Sequence, residues 1–324
     1  MKKIAITTIS FICVVLSYFT FLSAEKVFKT DWELPQNADQ VDTEYRIVLI
    51  TQGLETPFWD KVEEGALEQA AKDGASLGVW GSYGNNQEFL NKIETAIYSR
   101  VDGIIVQGLD TNEFKALTKF KAASYGIPII TVANDVPMEE SLRRTYVGSD
   151  QYLAGQMIAK QLVSDMGHSG EVVLMYGSQQ QYYQKQRLDG LESVLKNYPE
   201  IKKIDAKTND TSEQVITVAR NMLNKFPDVN AFIAVNADIS GSLIQEIESR
   251  TLVDNYYIYS FDDDPESLSL LKQGKLNGMV EQSPKEMGEI SVHQMIHLLN
   301  SEKRPLDLDG YLTDIRILKP EDVQ

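Results

Sequence analysis

The sequence predicts an α/β fold with parallel sheets in two groups of strands, and three observations lead there. Strand-like apolar runs alternate with helix-length stretches whose apolar residues recur at 3.6-type spacing. The same grammar of strand, polar loop and helix restarts after "YVGSDQYLAGQMIAKQL", which divides ten strands into two sets of about five. Polar and aromatic residues gather where the strands of each set end.

The first set comprises residues 45–52 ("YRIVLITQ"), 76–81, 102–108, 127–135 ("IPIITVAND") and 145–150. The second comprises residues 170–177, 201–208, 229–238, 256–263 ("YYIYSFDD") and 276–282. The first helix opens on Thr56 as N-cap and Pro57 at the first helical position, and Gly74 is its stop. Val62, Ala66, Leu67, Ala70 and Ala71 are expected on its buried face. Asp264 and Pro265 form a second pair of the same kind. No internal repeat is sharp enough to prove duplication of one half from the other.

The chain has 324 residues, 43% hydrophobic and 24% charged, with a formal net charge of −16. This is a globular composition, and the negative charge excludes the electrostatic footprint of a nucleic-acid binder. One cysteine is present, Cys13, so the folded body has no disulfide, thiolate zinc site or cysteine nucleophile. Residues 4–24, "IAITTISFICVVLSYFTFLSA", carry no charge and follow Lys2 and Lys3. A run of this length exceeds a signal-peptide core and reaches the roughly 20 residues that span a bilayer. Residues 1–24 are therefore read as a signal peptide or an uncleaved membrane anchor that places the body outside the cytoplasm. Residues 25–44 are polar and aperiodic and read as a tether.

Ligands of open parallel sheets bind beyond the carboxyl ends of the strands. The strands of the first set bring Glu55, Thr56, Phe58, Trp59, Gln107, Asn134 and Asp135 to that edge. Those of the second bring Asn236, Asp238, Asp262, Glu281 and Gln282, and the segment after "VLMYG" adds Tyr182, Tyr183 and Arg187. This inventory suits a neutral polyhydroxylated ligand: carboxylates accept from hydroxyls, a guanidinium donates in a fork, amides do both, and aromatic faces cover apolar ring faces. Each residue alone has an ordinary structural explanation, as core aromatic, turn former or surface ion pair. Their placement at successive strand ends is the signal.

Enzyme signatures are missing. No GxGxxG, GxxxxGK[ST] or G-x-S-x-G follows a strand, and no nucleophile–base pair stands out. His293 and His297 in "HQMIH" lack the glutamate of HExxH and a third ligand, and read as a surface face. No catalytic residue, metal or cofactor is expected.

The phrases "ETPFWDKVEEGALEQAAKDG", "DGIIVQGLD", "GIPIITVANDVP", "YVGSDQYLAGQMIA", "QRLDGLESVL", "PDVNAFIAVNAD" and "YSFDDDPESLSLLKQGKLNGMVEQSP" occur in this order. Together they resemble the periplasmic sugar-binding proteins of the ribose-, galactose- and xylose-binding type, akin to the ligand-binding part of LacI-type repressors, over roughly residues 45–320. The resemblance implies two Rossmann-like lobes joined by three crossovers, the type I periplasmic binding protein fold. It places residues 45–149 plus 284–312 in the first lobe and 150–283 plus 313–324 in the second, with crossovers near Ser149-Asp150, Gln282-Ser283 and Tyr311-Thr313. A sugar is then expected in the cleft, against Phe58, Trp59, Gln107, Asn134, Asp135, Tyr183, Arg187, Asn236, Asp262 and Gln282. Trp59 is expected to face the cleft more surely than Phe58. Ala133 stands where the family often has Asp, so Asn134 and Asp135 are expected to supply that polar contact. A pentose, xylose or ribose, is favoured.

The resemblance implies an extracytoplasmic protein that closes on its sugar. The long apolar run without a lipobox is similar to membrane-tethered sensors that partner a membrane histidine kinase. The alternative is the solute-binding component of an ABC importer docking on its permease. A basic DNA-binding segment, as in the repressor relatives, is absent from the sequence.

Overall fold

The computed structural model describes residues 15–20, 45–54, 56–82, 84–177, 181–209, 211–250, 253, 256–262, 264–300 and 305–323. The chain divides into two compact units, Met1–Asp42 and Thr43–Gln324. In the first, residues 15–20 are helical. The anchor and tether expected over residues 1–44 fall otherwise outside the described residues. Among the described residues no helix is long and apolar enough to cross a membrane.

The second unit holds all ten expected strands: β1 (Arg46–Thr51), β2 (Ser76–Gly81), β3 (Gly103–Gln107), β4 (Ile129–Val132), β5 (Thr145–Ser149), β6 (Gly170–Gly177), β7 (Ile201–Thr208), β8 (Ala231–Ala234), β9 (Tyr257–Phe261) and β10 (Gly278–Glu281). Two three-residue strands follow, β11 (Tyr311–Thr313) and β12 (Arg316–Leu318). They build two six-stranded sheets, ordered β11-β5-β4-β3-β1-β2 and β12-β10-β9-β8-β6-β7. Every pairing is parallel except that of β10 with β12.

The helices are α1 (Pro57–Lys72), α2 (Asn86–Tyr98), α3 (Asn112–Ala116), α4 (Met138–Ser141), α5 (Gln151–Met166), α6 (Tyr182–Leu195), α7 (Ser212–Lys225), α8 (Ala237–Glu248), α9 (Pro265–Lys272) and α10 (Pro284–Leu299). A π-helical stretch, Leu117–Ala122, continues α3. The chain leaves the first sheet between β5 and α5, returns between β10 and α10, and crosses a third time between β11 and β12.

Both faces of each sheet are buried because successive strand residues point to opposite sides. In β1, Ile47 and Leu49 join the core under α1 and α10, while Val48 and Ile50 join that under α2. In β6, Val172, Leu174 and Tyr176 belong to one core of the second lobe, and Val173 and Met175 to the other. Each fully buried aliphatic side chain contributes about 1.5–3 kcal/mol of transfer free energy.

Two close helix contacts fix the helices that bear Phe58, Trp59, Tyr183 and Arg187. A Cβ at Gly65 would lie 2.0 Å from the Lys285 carbonyl oxygen, so α1 and α10 touch backbone to backbone. A Cβ at Gly155 would lie 2.1 Å from the carbonyl oxygen of Arg187, which pins α6 to α5. The α1 contact also corrects the expected buried face. Val62, Gly65, Ala66 and Ala70 are inside, whereas Leu67 is 43% exposed and Ala71 is exposed. The seam follows the small residues that let α10 approach, and Leu67 and Ala71 sit one step, about 100°, around the helix from it.

Candidate functional site

The strand ends converge on a cavity of about 510 Å³ between the lobes. The first lobe contributes Gln52, Thr56, Phe58, Trp59, Gln107, Ala133 and Asn134. The second contributes Tyr183, Arg187, Asn236, Asp238, Asp262, Asp264 and Glu266, with Gln282 from the crossover after β10. A groove of similar volume, about 540 Å³, lies between α2 and the Glu113–Ser124 stretch and takes in none of the expected site residues.

Thr56 caps α1 by accepting from the Trp59 N–H, and Pro57 starts the helix, as the local sequence requires. Both rings of the first turn reach the cavity, packed edge to face with centroids 5.5 Å apart and planes at 80°. Their burial differs. Trp59 is 7% exposed and belongs to the core around Leu49 and Val62, whereas Phe58 is only partly buried and presents more of its ring.

Arg187 is 3% exposed and its donors are already engaged. Nε donates to Gln151 Oε1 at 2.7 Å, and Nη1 donates to the Val235 carbonyl at 2.7 Å. Nη1 and Nη2 reach the two oxygens of Asp262 at 3.1 and 2.8 Å. The guanidinium also lies over the rings of Phe261 and Tyr183, at 4.5 and 5.0 Å from their centroids. The fork expected to meet the ligand therefore grips a carboxylate of the protein. Of five N–H donors, one remains to offer to a ligand.

Gln282 closes the chain of contacts across the crossovers. Its Nε2 donates to Asp262 Oδ1, and its Oε1 accepts from Ser149 Oγ at 2.7 Å. Gln107 spends its amide oxygen on Thr51 Oγ1 at 3.0 Å and on the Gln52 N–H at 2.8 Å, which leaves Nε2 as its polar contribution to the cavity. Asn236 is 7% exposed, and its Oδ1 is buried with no hydrogen-bond donor from the protein. A buried acceptor without a partner carries a desolvation cost that a ligand donor would relieve.

Two strand-end residues adopt left-handed backbone without being glycine: Ala133 at φ 62° and Asp262 at φ 72°. This ends β4 three residues short of the expected run and turns the chain at the cavity wall. Such conformations cost about 1–3 kcal/mol each and cluster where structure serves function. Tyr146 supports the Ala133 turn by donating its hydroxyl to the Ala133 carbonyl at 3.0 Å.

Asp135 does not line the cavity, contrary to expectation. It faces away from it, bonded by Thr131 Oγ1 at 2.6 Å and paired with Arg143 at 2.7–2.8 Å. Burial pushes its carboxyl up, against the pull of Arg143 and Thr131. Arg143 also donates to the Val136 and Leu308 carbonyls, so the pair ties the β4–β5 loop to the segment before β11. Tyr182 borders the same outer depression as Asp135, and Glu281 pairs with Arg316 of β12. Glu55 lies outside the described residues.

Nine of the ten expected residues thus share one cavity: Phe58, Trp59, Gln107, Asn134, Tyr183, Arg187, Asn236, Asp262 and Gln282. Gln52, Asp264 and Glu266 were not singled out. Gln52 ends the phrase "YRIVLITQ", a signal of the same kind as the others. Asp264 caps α9 through bonds from the Glu266 and Ser267 N–H groups, and the turn at Asp262 brings that helix start to the wall. Asp238 is held up by burial and then by the like charges of Asp262, Asp264 and Glu266. Among the described residues the second-lobe wall is therefore acidic, with its one arginine paired. Among the described residues no group of three or more His, Cys, Asp or Glu side chains is arranged to hold a metal ion.

Comparison with known proteins agrees with this fold. A family model described as "Periplasmic binding protein domain" matches residues 47–303. The ribose import binding protein of Bacillus subtilis is 22% identical over 293 residues, covering 90% of this chain and 94% of the relative. Among solved structures, the glucose-galactose binding protein GanP of Geobacillus stearothermophilus superposes with a TM-score of 0.80 at 29% identity, over 86% of this chain and 98% of that one. XylFII, solved in the XylFII-LytSN complex, superposes with a TM-score of 0.75 at 26% identity, over 86% and 99%. This chain belongs to the periplasmic binding protein family, as a binding protein and not an enzyme.

Proposed function

We propose that this protein is an extracytoplasmic receptor for a neutral monosaccharide, which it holds between a lobe of residues 45–149 with 284–312 and a lobe of residues 150–283 with 313–324. The observation that carries the reading is the cavity itself. It combines a partly exposed aromatic ring at Phe58, free amide donors at Gln107, an orphan acceptor at Asn236 and an acidic wall, with Arg187, its only arginine among the described residues, paired. Hydroxyl groups satisfy acceptors and donors alike, and an apolar ring face covers the phenyl ring. An anionic sugar would meet uncompensated carboxylates. A pentose such as xylose or ribose is the favoured ligand, supported by the name of the ribose import binding protein.

Ligand held by both lobes stabilises their closed arrangement, and a partner reads the change in geometry. We assign that partner as a membrane histidine kinase, with the uncharged residues 4–24 as the tether. The similarity to XylFII in its LytSN complex supports a role in a protein assembly. The second reading, delivery to an ABC permease, is favoured by the import function named for the Bacillus subtilis relative.

A thermal-stability screen of D-xylose, D-ribose, D-glucose and D-galactose tests the ligand class, because a ligand that binds only the native state raises its melting temperature. At least one neutral sugar is expected to do so and glucuronate is not. No shift with any neutral sugar would contradict the reading. Co-purification of the tethered protein from membranes with a sensor kinase, against co-purification with a permease, separates the two partners.

A further inference from the structure

The lobes also meet outside the ligand cavity, at Asp110. This residue ends the loop after β3 in the first lobe. Its backbone N–H donates to Gln181 Oε1 at 2.9 Å, and its Oδ2 accepts from Lys185 Nζ at 2.8 Å. Gln181 and Lys185 are the N-cap and the first turn of α6, in the second lobe. None of the three residues lines the cavity.

The arrangement is built on one side before the other arrives. Lys115 of α3 holds the second carboxylate oxygen of Asp110 at 2.6 Å, and Glu140 of α4 pairs with Lys115 in turn. All three belong to the first lobe, so Asp110 stays aimed whether or not the lobes touch. Its carboxyl is only about one-tenth exposed, and burial alone would push its pKa up, but the bonds from Lys115 and Lys185 hold it below the ordinary range. Lys185 is placed differently. A cation in the first turn of a helix opposes the helix dipole, and Lys185 is half exposed with Asp110 as its ion-pair partner. The contact offers it an anion at the very place where its own helix disfavours it.

We infer that Asp110, Lys185 and Gln181 form a latch between the lobes that sets how long a ligand is retained without touching the ligand. The inference deepens the sugar-receptor reading and rests on its two-lobe closure. Both bonds exist only while the lobes are together, so they favour the closed state by differential interaction and slow the opening that precedes release. Asp110 is a positioning residue in this account, and Lys185 is the group whose removal opens the latch with least disturbance of the first lobe.

The test uses the wild-type protein and its Lys185→Glu and Lys185→Arg variants. Sugar release, from D-ribose or D-xylose, is followed by stopped-flow tryptophan fluorescence, and lobe separation without sugar by small-angle X-ray scattering. Lys185→Glu is expected to speed release about two- to fivefold with the association rate unchanged, the size of a partly exposed ion pair. Lys185→Arg should behave as wild type, and raised salt should bring wild type toward the Glu variant. Scattering should show a more extended Lys185→Glu protein. Wild-type release and an identical scattering profile in Lys185→Glu would overturn the latch. Should neither sugar bind even the wild type, the sugar reading fails on its own. Scattering then judges the latch alone: an extended Lys185→Glu profile upholds it and an unchanged one overturns it.

Discussion

Arg187 and Asp262 face each other as a two-pronged pair, Nη2 at 2.8 Å from Oδ1 and Nη1 at 3.1 Å from Oδ2. The pair links α6 to the end of β9 and, through Gln282 and Ser149, to the crossovers. On the proposed reading, the arginine serves a sugar chiefly by aiming a carboxylate. Asp262→Ala would leave a guanidinium of 3% exposure without its anion. Removing one partner of such a pair costs about 3–5 kcal/mol. Urea denaturation should register a loss near the lower end, because Val235 and Gln151 still accept from Arg187, and sugar binding should be abolished. A variant of wild-type stability would show that the pair is not what holds Arg187.

The two aromatic residues separate by their burial. Phe58→Ala is expected to weaken sugar binding at least tenfold while the melting temperature of the free protein changes little. Trp59→Ala removes a core side chain and should destabilise by about 3–5 kcal/mol in addition. Calorimetry and thermal denaturation of both variants check this, and equal destabilisation by both would remove the distinction.

Asn236→Ala deletes the unpartnered acceptor. The free protein should be as stable as wild type or slightly more so, because no internal hydrogen bond is lost. Affinity should fall by about 1–3 kcal/mol, the cost of one buried hydrogen bond to the ligand. A stability loss without an affinity loss would mean that Asn236 serves the fold.

Acid acts on the contact between the lobes through Asp110. A carboxylate with a lowered native pKa contributes stability that is complete above its unfolded value, 3.8, and is lost as pH falls through the lower native value. The difference in release rate between wild type and Lys185→Glu, which isolates this contact from the raised cavity carboxyl of Asp238, should therefore stay level from pH 8 to about 5 and narrow only below about 4. Stopped-flow measurements across that range check it. A midpoint near neutrality would point to another group.

Gly155→Ala tests the seat of Arg187. The new Cβ meets the Arg187 carbonyl oxygen and must push α6 outward. A stability loss of about 1–3 kcal/mol is expected together with weaker sugar binding, read by denaturation and calorimetry on one preparation.

The sheets were readable because each core strand is a short run of apolar residues bounded by polar ends, as in "RIVLIT" and "GEVVLMYG". β11 and β12 escaped because three residues carry no period, and their pairing with β5 and β10 comes from the returning chain. Strand ends marked the cavity, since a parallel sheet collects its carboxyl edges in one place. Direction within those ends was not readable. Asn134 and Asp135 are adjacent, and only the left-handed turn at Ala133 and Arg143, eight positions beyond Asp135, decide which one reaches the cavity. The same holds for Arg187, whose partner Asp262 lies 75 positions along the chain. Leu67 misled because hydrophobicity outweighed size, whereas the contact with α10 selects glycine and alanine.

The central claim is that a neutral sugar binds between the lobes, against Phe58 and Asn236. Isothermal titration calorimetry with D-xylose, D-ribose, D-glucose and D-galactose, run on the wild type and on Asn236→Ala, tests it most directly. The account predicts saturable binding of one sugar per chain by the wild type, and a loss of about ten- to a hundredfold in affinity for the variant. No heat of binding from any of the four, or equal affinity for both proteins, would contradict it.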